Sequence, residues 1–280
     1  MTGDDGMTRN TRGERRIAVV TGAGAGIGLA SSRWLAGHGF IVVAVDRDRR
    51  SLVQLQAELG EQCGGIVAGD VAANETHAEA AEIAKARGVL TAWVNNAGIN
   101  GPPTHAHNLD LAALKQVLDI NVIGCALGCS AACASFVSGG IAGAIVNVSS
   151  IHAVAGFPGT FVYDASKGAV DALTRQVAVE YGHLGIRCNA VRPGAIRTPL
   201  FDQTLDALPE RERAAELQRS QELHPLGRLG AAAEVANVIG FLLSTDASFV
   251  SGVCIAVDGG ATARCYRYPD ADQAGTLRSQ

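Results

Sequence analysis

Short unbroken apolar runs recur along the chain, each followed by a stretch with helical spacing. Ile17-Ala18-Val19-Val20-Thr21, Phe40 to Val45, 65–69, 91–95, 143–148, 186–191 and 252–257 are the runs. Continuous rather than alternating apolar character predicts parallel strands buried on both faces. Between them the spacing predicts a helix opening after Gly28 that carries Trp34 and Leu35, then helices over 49–59, 75–87, Leu109 to about Val137, the Tyr163 stretch to about Tyr181, and 231–243. Residues 199–224 are helical but mixed, with Leu200, Phe201, Leu205, Leu208 and Leu217 among many charges and with Pro199, Pro209 and Pro225 at the borders. That pattern predicts a mobile lid. Strands alternating with helices predict an α/β fold, a doubly wound parallel sheet of Rossmann-like type. No second hydrophobic pattern and no linker intervene, so one domain is expected over 15–262. Residues 1–14 read as a polar, disordered leader in which Met7 is an alternative start. Residues 263–280, with Tyr266 and Tyr268, read as a polar tail, either disordered or an arm packing on a neighbour.

Composition narrows the function. Of 280 residues, 48% are hydrophobic and 18% charged, which implies a large buried core. A net charge of -4 with both signs interspersed carries no footprint for nucleic acid or anionic lipid. Arg15-Arg16 precedes an apolar run, but Gly22, Gly24, Gly26 and Gly28 interrupt its continuation and no small-residue cleavage pattern flanks it, so no export signal is read. No later segment has 18 uninterrupted apolar residues, and no membrane span is expected. Seven scattered cysteines do not form a disulfide framework and suit a reducing, cytoplasmic setting. Cys125, Cys129 and Cys133 share one helical face. A metal or redox site there is set against small residues on a tightly packed helix, and the packing reading is taken; no metal site is expected.

The candidate chemistry lies at strand ends. Thr21-Gly22-Ala23-Gly24-Ala25-Gly26-Ile27-Gly28 joins the first strand to its helix. Glycines there let the chain turn sharply and let a pyrophosphate approach the free N–H groups of a helix N-terminus. Asp46 closes the second strand; its carboxylate can bond an adenosine ribose and repel a 2′-phosphate, favouring NAD over NADP. Arg47 and Arg49 could instead clamp such a phosphate. Asp70-Val71 follows the third strand, where an adenine would lie. Asn95-Asn96-Ala97-Gly98 ends the fourth, and a loop over 100–108 carries His105 and His107, read as surface residues. Asn121 is a polar amide in an apolar helix, either a strut or part of a site. Ser150 ends the fifth strand. Tyr163 and Lys167, four apart, share one helical face. A fixed ammonium near a phenol favours the phenolate, so the Tyr163 pKa is expected to fall from about 10 towards working pH, making a general acid/base.

These motifs together resemble the short-chain dehydrogenase/reductase family, in its single-domain branch with the Tyr-x-x-x-Lys motif. T-G-x-x-x-G-x-G at 21–28, N-N-A-G at 95–98, Asn121, Ser150, Tyr163/Lys167 and Pro193-Gly194 occur in the family's order and spacing, over about residues 15–262. The resemblance implies hydride transfer between a nicotinamide cofactor and a secondary alcohol or ketone. It implies Tyr163 as general acid/base and Lys167 bonded to the nicotinamide ribose. Ser150 would bond the substrate oxygen, and Asn121 would hold a water behind Lys167. Gly22, Gly26, Ile27, Gly28, Asp46, Asp70, Val71, Asn96, Ala97 and Gly98 would line the cofactor, with Tyr163 and Lys167 also touching it. Pro193, Gly194, backbone groups around Ile196 and the Thr198 hydroxyl would position its carboxamide. Asn95 would brace the sheet.

His152 and Phe157 are expected beside Ser150 as substrate contacts, with Ala153, Val154, Phe161, Leu200 and Phe201 completing a mostly apolar pocket for a hydrophobic or cyclic small molecule. His152 as a plain loop histidine is the other reading. Asp164 is expected to turn away from the Lys167 face. Alternatives are an NADPH-dependent biosynthetic ketoreductase and a non-catalytic dinucleotide-binding regulator. An enoyl reductase is disfavoured, because the tyrosine–lysine separation is longer there. A homotetramer is implied, built on the cysteine-bearing helix, the Tyr163 helix and the last strand.

Overall fold

The apolar runs fold into one seven-stranded sheet, parallel throughout, with strands in the order 63–68, 40–46, 16–21, 89–95, 144–148, 187–193 and 254–257. The structure is a computed structural model and describes residues 13–264; the leader, Tyr266 and Tyr268 lie outside the described residues or reach only their edge. In chain order the elements are β1 (Arg16–Thr21), α1 (Gly26–Gly37), β2 (Phe40–Asp46), α2 (Arg49–Leu59), β3 (Cys63–Ala68), α3 (Asn74–Arg87), β4 (Val89–Asn95) and α4 (Leu111–Leu118). Then come α5 (Gly124–Gly139), β5 (Ala144–Val148), α6 (Phe161–Tyr181), β6 (Arg187–Pro193), β7 (Ile196–Arg197), α7 (Pro199–Asp206), α8 (Glu210–Glu222), β8 (Gly230–Ala231), α9 (Ala232–Leu243) and β9 (Cys254–Val257).

Residues alternate between the two faces of each strand, and both faces are covered. Ile17, Val19, Val43, Trp93 and Ile145 pack with Ala80, Cys129, Phe136 and Val170 on the side of α3, α5 and α6. Ala18, Val20, Val42, Val94 and Val146 pack with Leu35, Leu52, Val235, Ile239 and Leu242 on the side of α1, α2 and α9. Burying a side chain of this size contributes about 1.5–3 kcal/mol, which is why the runs are unbroken. A Cβ on Gly240 would sit 2.4 Å from the Trp34 ring, so this glycine lets α1 lie flat against α9. The strand order reverses between β1 and β4, which opens a crevice at the carboxyl ends of those strands.

Three features depart from the sequence expectation. The helix predicted from Leu109 to Val137 is α4 and α5 joined by a π-helical turn, Asp119–Ile123, with Asn121 inside it. Such turns place one extra residue per turn and re-aim the side chains they carry. The rod Leu111–Gly139 is, among the described residues, the one helix long and apolar enough to cross a membrane, yet Cys125, Cys129, Ala132, Cys133 and Phe136 bury one side of it against the sheet. The cysteine line is therefore core, as the packing reading has it, while Ile123 and Val137 on the same rod stay exposed. The stretch expected to be a lid is two helices, α7 and α8, neither with a fully buried residue. It is tied down by a small parallel pair, β7 with β8, that the sequence pattern did not announce.

Candidate active site

The glycine turn after β1 is braced from β4. Asn96 Nδ2 donates to the carbonyls of Thr21 (2.9 Å) and Gly22 (3.0 Å), and the Thr21 hydroxyl accepts from the Asn96 and Ala97 amides. A Cβ on Gly28 would fall 2.0 Å from the Gly22 carbonyl oxygen, so helix and turn approach as closely as backbone allows. Gly22 and Gly26 have φ of 64° and 53°, the left-handed region that glycine adopts without strain. Helix α1 has no side-chain cap and no acid in its first turn, which leaves its amides free to meet an anion. Asp46 sits at the lip of the turn: Oδ2 accepts from the Gly24 amide at 2.9 Å and Oδ1 from the Asp48 amide at 3.0 Å. Asp70 is exposed at the end of β3, its Oδ1 accepting from the Ala72 amide, with Val71 buried beside it. The donors, the glycine clearances and the acidic lip fit a nicotinamide dinucleotide.

Across the crevice, Pro193 ends β6 and Gly194 donates its amide to the Val257 carbonyl on β9. Ile196 is buried in β7. Thr198 caps α7 by accepting from the Phe201 amide, and its methyl lies 3.2 Å from where a Gly26 Cβ would be. The two halves of the expected cofactor site thus touch. His224, which no sequence pattern singled out, is buried here and holds the loop: its Nε2 accepts from the Ala195 amide and its Nδ1 donates to the Asp258 carbonyl at 2.6 Å. Only a glycine fits at 194, since a Cβ would meet the His224 ring at 2.3 Å.

Ser150, Tyr163, Lys167 and Asn121 converge where β5, the π turn and the start of α6 meet. Lys167 is buried and Nζ donates to the Val148 carbonyl at 2.9 Å, 5.6 Å from the centre of the Tyr163 ring. Asn121 bonds to the protein through both side-chain atoms: Oδ1 accepts from the Ile99 amide, and Nδ2 donates to the Ile99 carbonyl and the Ser166 hydroxyl. Its side chain ties the π turn to α6 and to the strand-end loop. Asn95 receives the Trp93 indole N–H and donates to Asn147, making a strut across β4 and β5.

The expected fall in the Tyr163 pKa is corrected. Burial of the half-covered ring pushes it up to about 12; a hydrogen bond with Ser150 pulls it down and the charge on Asp164 pushes it further up. Burial also brings the Lys167 ammonium down to about 8, against the pull of Cys125 and Asp171. The protein alone therefore holds a protonated phenol beside a lysine that loses charge easily. A bound oxidised nicotinamide would supply the hydride acceptor and a positive ring near that phenol.

Asp164 turns towards the loop after Ser150. Its Oδ1 meets His152 Nδ1 at 2.6 Å and its Oδ2 accepts from the Phe157 amide at 3.1 Å. His152 stacks on Phe157, centroids 4.1 Å apart, and stands edge-on to Tyr163 at 5.1 Å. His152 and Phe157 thus join Tyr163 in one wall, whereas His105 and His107 are exposed. Val154 and Phe161 are also exposed, and Asn100 Nδ2 donates to the Thr204 hydroxyl, linking the loop over 100–108 to the lid. The pairing of Asp164 with His152 had no signal in the sequence beyond two polar residues in an apolar neighbourhood.

Residues 22–262 match the family model described as enoyl-(acyl carrier protein) reductase, adh_short_C2. The chain is 41% identical to cis-4-hydroxycyclohexanecarboxylate dehydrogenase of Sinomonas cyclohexanicum, over 89% of this chain and 97% of that one. The crystal structure of levodione reductase superimposes with a TM-score of 0.84 at 32% identity, covering 90% of this chain and 98% of the other. A 3-ketoacyl-(acyl-carrier-protein) reductase from Brucella melitensis complexed with NADH gives a TM-score of 0.79 at 30% identity, covering 88% and 98%. With the glycine turn, the serine–tyrosine–lysine cluster and these full-length similarities together, the chain belongs to the short-chain dehydrogenase/reductase family.

Proposed function

We propose that the protein interconverts a secondary alcohol and a ketone with NAD as the hydride carrier. The observation that carries this reading is the convergence of Ser150, Tyr163 and Lys167 opposite the glycine turn. Ser150 offers a hydroxyl where charge develops on the substrate oxygen. The Tyr163 phenol gives its proton to a carbonyl or, ionised, takes one from an alcohol. Lys167, held by the Val148 carbonyl, would bond the nicotinamide ribose beside that phenol. Asn121, tied to Ile99 and Ser166, braces α6 and would hold a water behind Lys167 rather than contact the substrate. The relatives named for alcohol and ketone chemistry align along nearly their whole length, which favours this over reduction of an enoyl group. The test is the rate of reduced-nicotinamide formation with a panel of secondary alcohols, NAD and NADP run in parallel. Turnover with NAD is expected; silence with both cofactors despite nucleotide binding would overturn the reading in favour of a regulator.

Preference for NAD rests on Asp46, whose charge stands where a 2′-phosphate would lie. Replacing it, as in Asp46→Ser, is expected to lower the NAD/NADP ratio of kcat/KM by about tenfold or more, equivalent to ~1.4 kcal/mol. A ratio that does not move would shift the discrimination to Arg47 or Arg49, which are exposed beside it, and would favour the NADPH-dependent ketoreductase reading. We also take the protein to be a cytoplasmic homotetramer. Free cysteines among the described residues suit a reducing compartment, and exposed Val179 on α6 and Phe249 before β9 supply apolar surface for self-association.

A further inference from the structure

The alcohol chemistry leaves His152 and Asp164 without a task, although both stand beside Tyr163. Asp164 accepts on both oxygens, from His152 Nδ1 at 2.6 Å and from the Phe157 amide at 3.1 Å. An ionised carboxylate has no proton to give, so the proton of this contact belongs to Nδ1. In the neutral imidazole Nε2 is then a bare acceptor. Two aromatic rings hold the imidazole further, Phe157 stacked on it and Tyr163 standing against it at 78°, and the backbone amide of His152 donates to the Ser150 hydroxyl at 3.2 Å. The same turn therefore carries the hydroxyl for the reacting oxygen and a second, oriented polar atom. One fifth of the His152 side chain remains open. Burial lowers its pKa and the Lys167 charge adds to this, while Asp164 opposes; the neutral form prevails at pH 7.

Resting on the alcohol dehydrogenase reading, we propose that His152, oriented by Asp164, determines specificity: its Nε2 accepts a hydrogen bond from a second hydroxyl of the substrate. The favoured class is a secondary alcohol with a further hydroxyl on the adjacent carbon or the one after it, such as an alicyclic 1,2- or 1,3-diol. A hydroxy acid is disfavoured, because its carboxylate would face a nitrogen lone pair with the negative Asp164 behind it. A simple alcohol is disfavoured less, since it leaves the acceptor without a partner in a partly dry pocket.

The test compares kcat/KM with NAD for cyclohexane-1,2-diol, cyclohexane-1,3-diol, cyclohexanol and 2-hydroxycyclohexanecarboxylate, in the wild type, His152→Leu and His152→Gln. The wild type is expected to favour one diol over cyclohexanol about tenfold, mainly through KM, and to use the hydroxy acid least. In His152→Leu the diol/cyclohexanol ratio should fall to near one. His152→Gln, whose amide oxygen is an acceptor, should recover part of it. A merely structural role would lower all substrates together and leave the ratio where it was, which would overturn the assignment. So would a wild-type ratio near one, or a preference for the hydroxy acid. Because the wild-type ratio is itself decisive, poor folding of a variant does not remove the test. No turnover of any of the four alcohols by the wild type would overturn the alcohol reading and this assignment with it; equal turnover of all four overturns this assignment alone.

Discussion

Tyr163→Phe should lower turnover by roughly a hundred- to ten-thousand-fold while nucleotide affinity stays within a few-fold of the wild type. Removing a positioned proton donor and acceptor has that order of effect. Phenylalanine fills the same space between His152 and Lys167, so the edge contact with His152 survives and the site keeps its shape. The proposed nucleotide cradle draws mostly on other groups: the Gly22–Gly28 turn, Asn96 and the loop from Pro193 to Thr198. Steady-state rates with a secondary alcohol and an equilibrium titration with NAD separate the two. Turnover near the wild-type level would remove Tyr163 from the chemistry. Loss of binding together with turnover would instead mean that the substitution had collapsed the pocket. Tyr163 rises to about 12 through burial in the protein alone, so the phenol rather than the phenolate is the resting form.

Asp171→Ala is the second large effect, and it falls on stability. Asp171 is buried on α6, one turn beyond Lys167, and its Oδ2 accepts from Arg192 Nε at 2.9 Å and Nη2 at 2.6 Å. Arg192 precedes Pro193-Gly194, so the pair fastens the Tyr163 helix to the loop expected to hold the carboxamide. Truncating one member of a buried pair leaves the other charge without compensation, at about 3–5 kcal/mol. The side chain of Arg192 is 20% exposed, which places the expectation at the lower end of that range. Urea unfolding of the two proteins, with unchanged slopes, measures it. Asp171→Asn keeps an acceptor near the guanidinium and should cost less. A difference below about 1 kcal/mol for the alanine variant would show that water replaces the lost partner.

Much of the site was legible because its chemistry demands residue types at close spacing. A phosphate-binding turn needs glycines within a few positions, and Gly22, Gly26 and Gly28 are read directly. A tyrosine and a lysine four apart meet on any helix, whatever surrounds them. The Asp46 carboxylate was readable from its place at the end of a buried strand. The structure puts it against the Gly24 amide, where the turn needs an acceptor. The sheet was legible for a similar reason, since strands covered on both faces do not tolerate interrupting polar residues.

What failed to show in the sequence involves partners far apart along the chain, or effects set by burial. The π turn at Asp119–Ile123 arises inside a stretch with ordinary helical composition, where Asn121 reaches across to Ile99 and Ser166. His224 lies 29 residues from the amide it accepts and 34 from the carbonyl it binds. The three cysteines share one helical face in any helix, but only packing decides that this face is the core.

By itself, then, the sequence determined the order of strands and helices, the glycine turn and which side chains are candidates for the chemistry. Each of these depends on local spacing and on which residues tolerate burial. The tertiary structure alone decided the protonation tendencies of Tyr163 and Lys167, the pairing of His152 with Asp164, and the fastening of the Pro193 loop by His224 and Arg192. Desolvation and hydrogen-bond partners exist only once distant segments have closed around a group, and no local pattern encodes them.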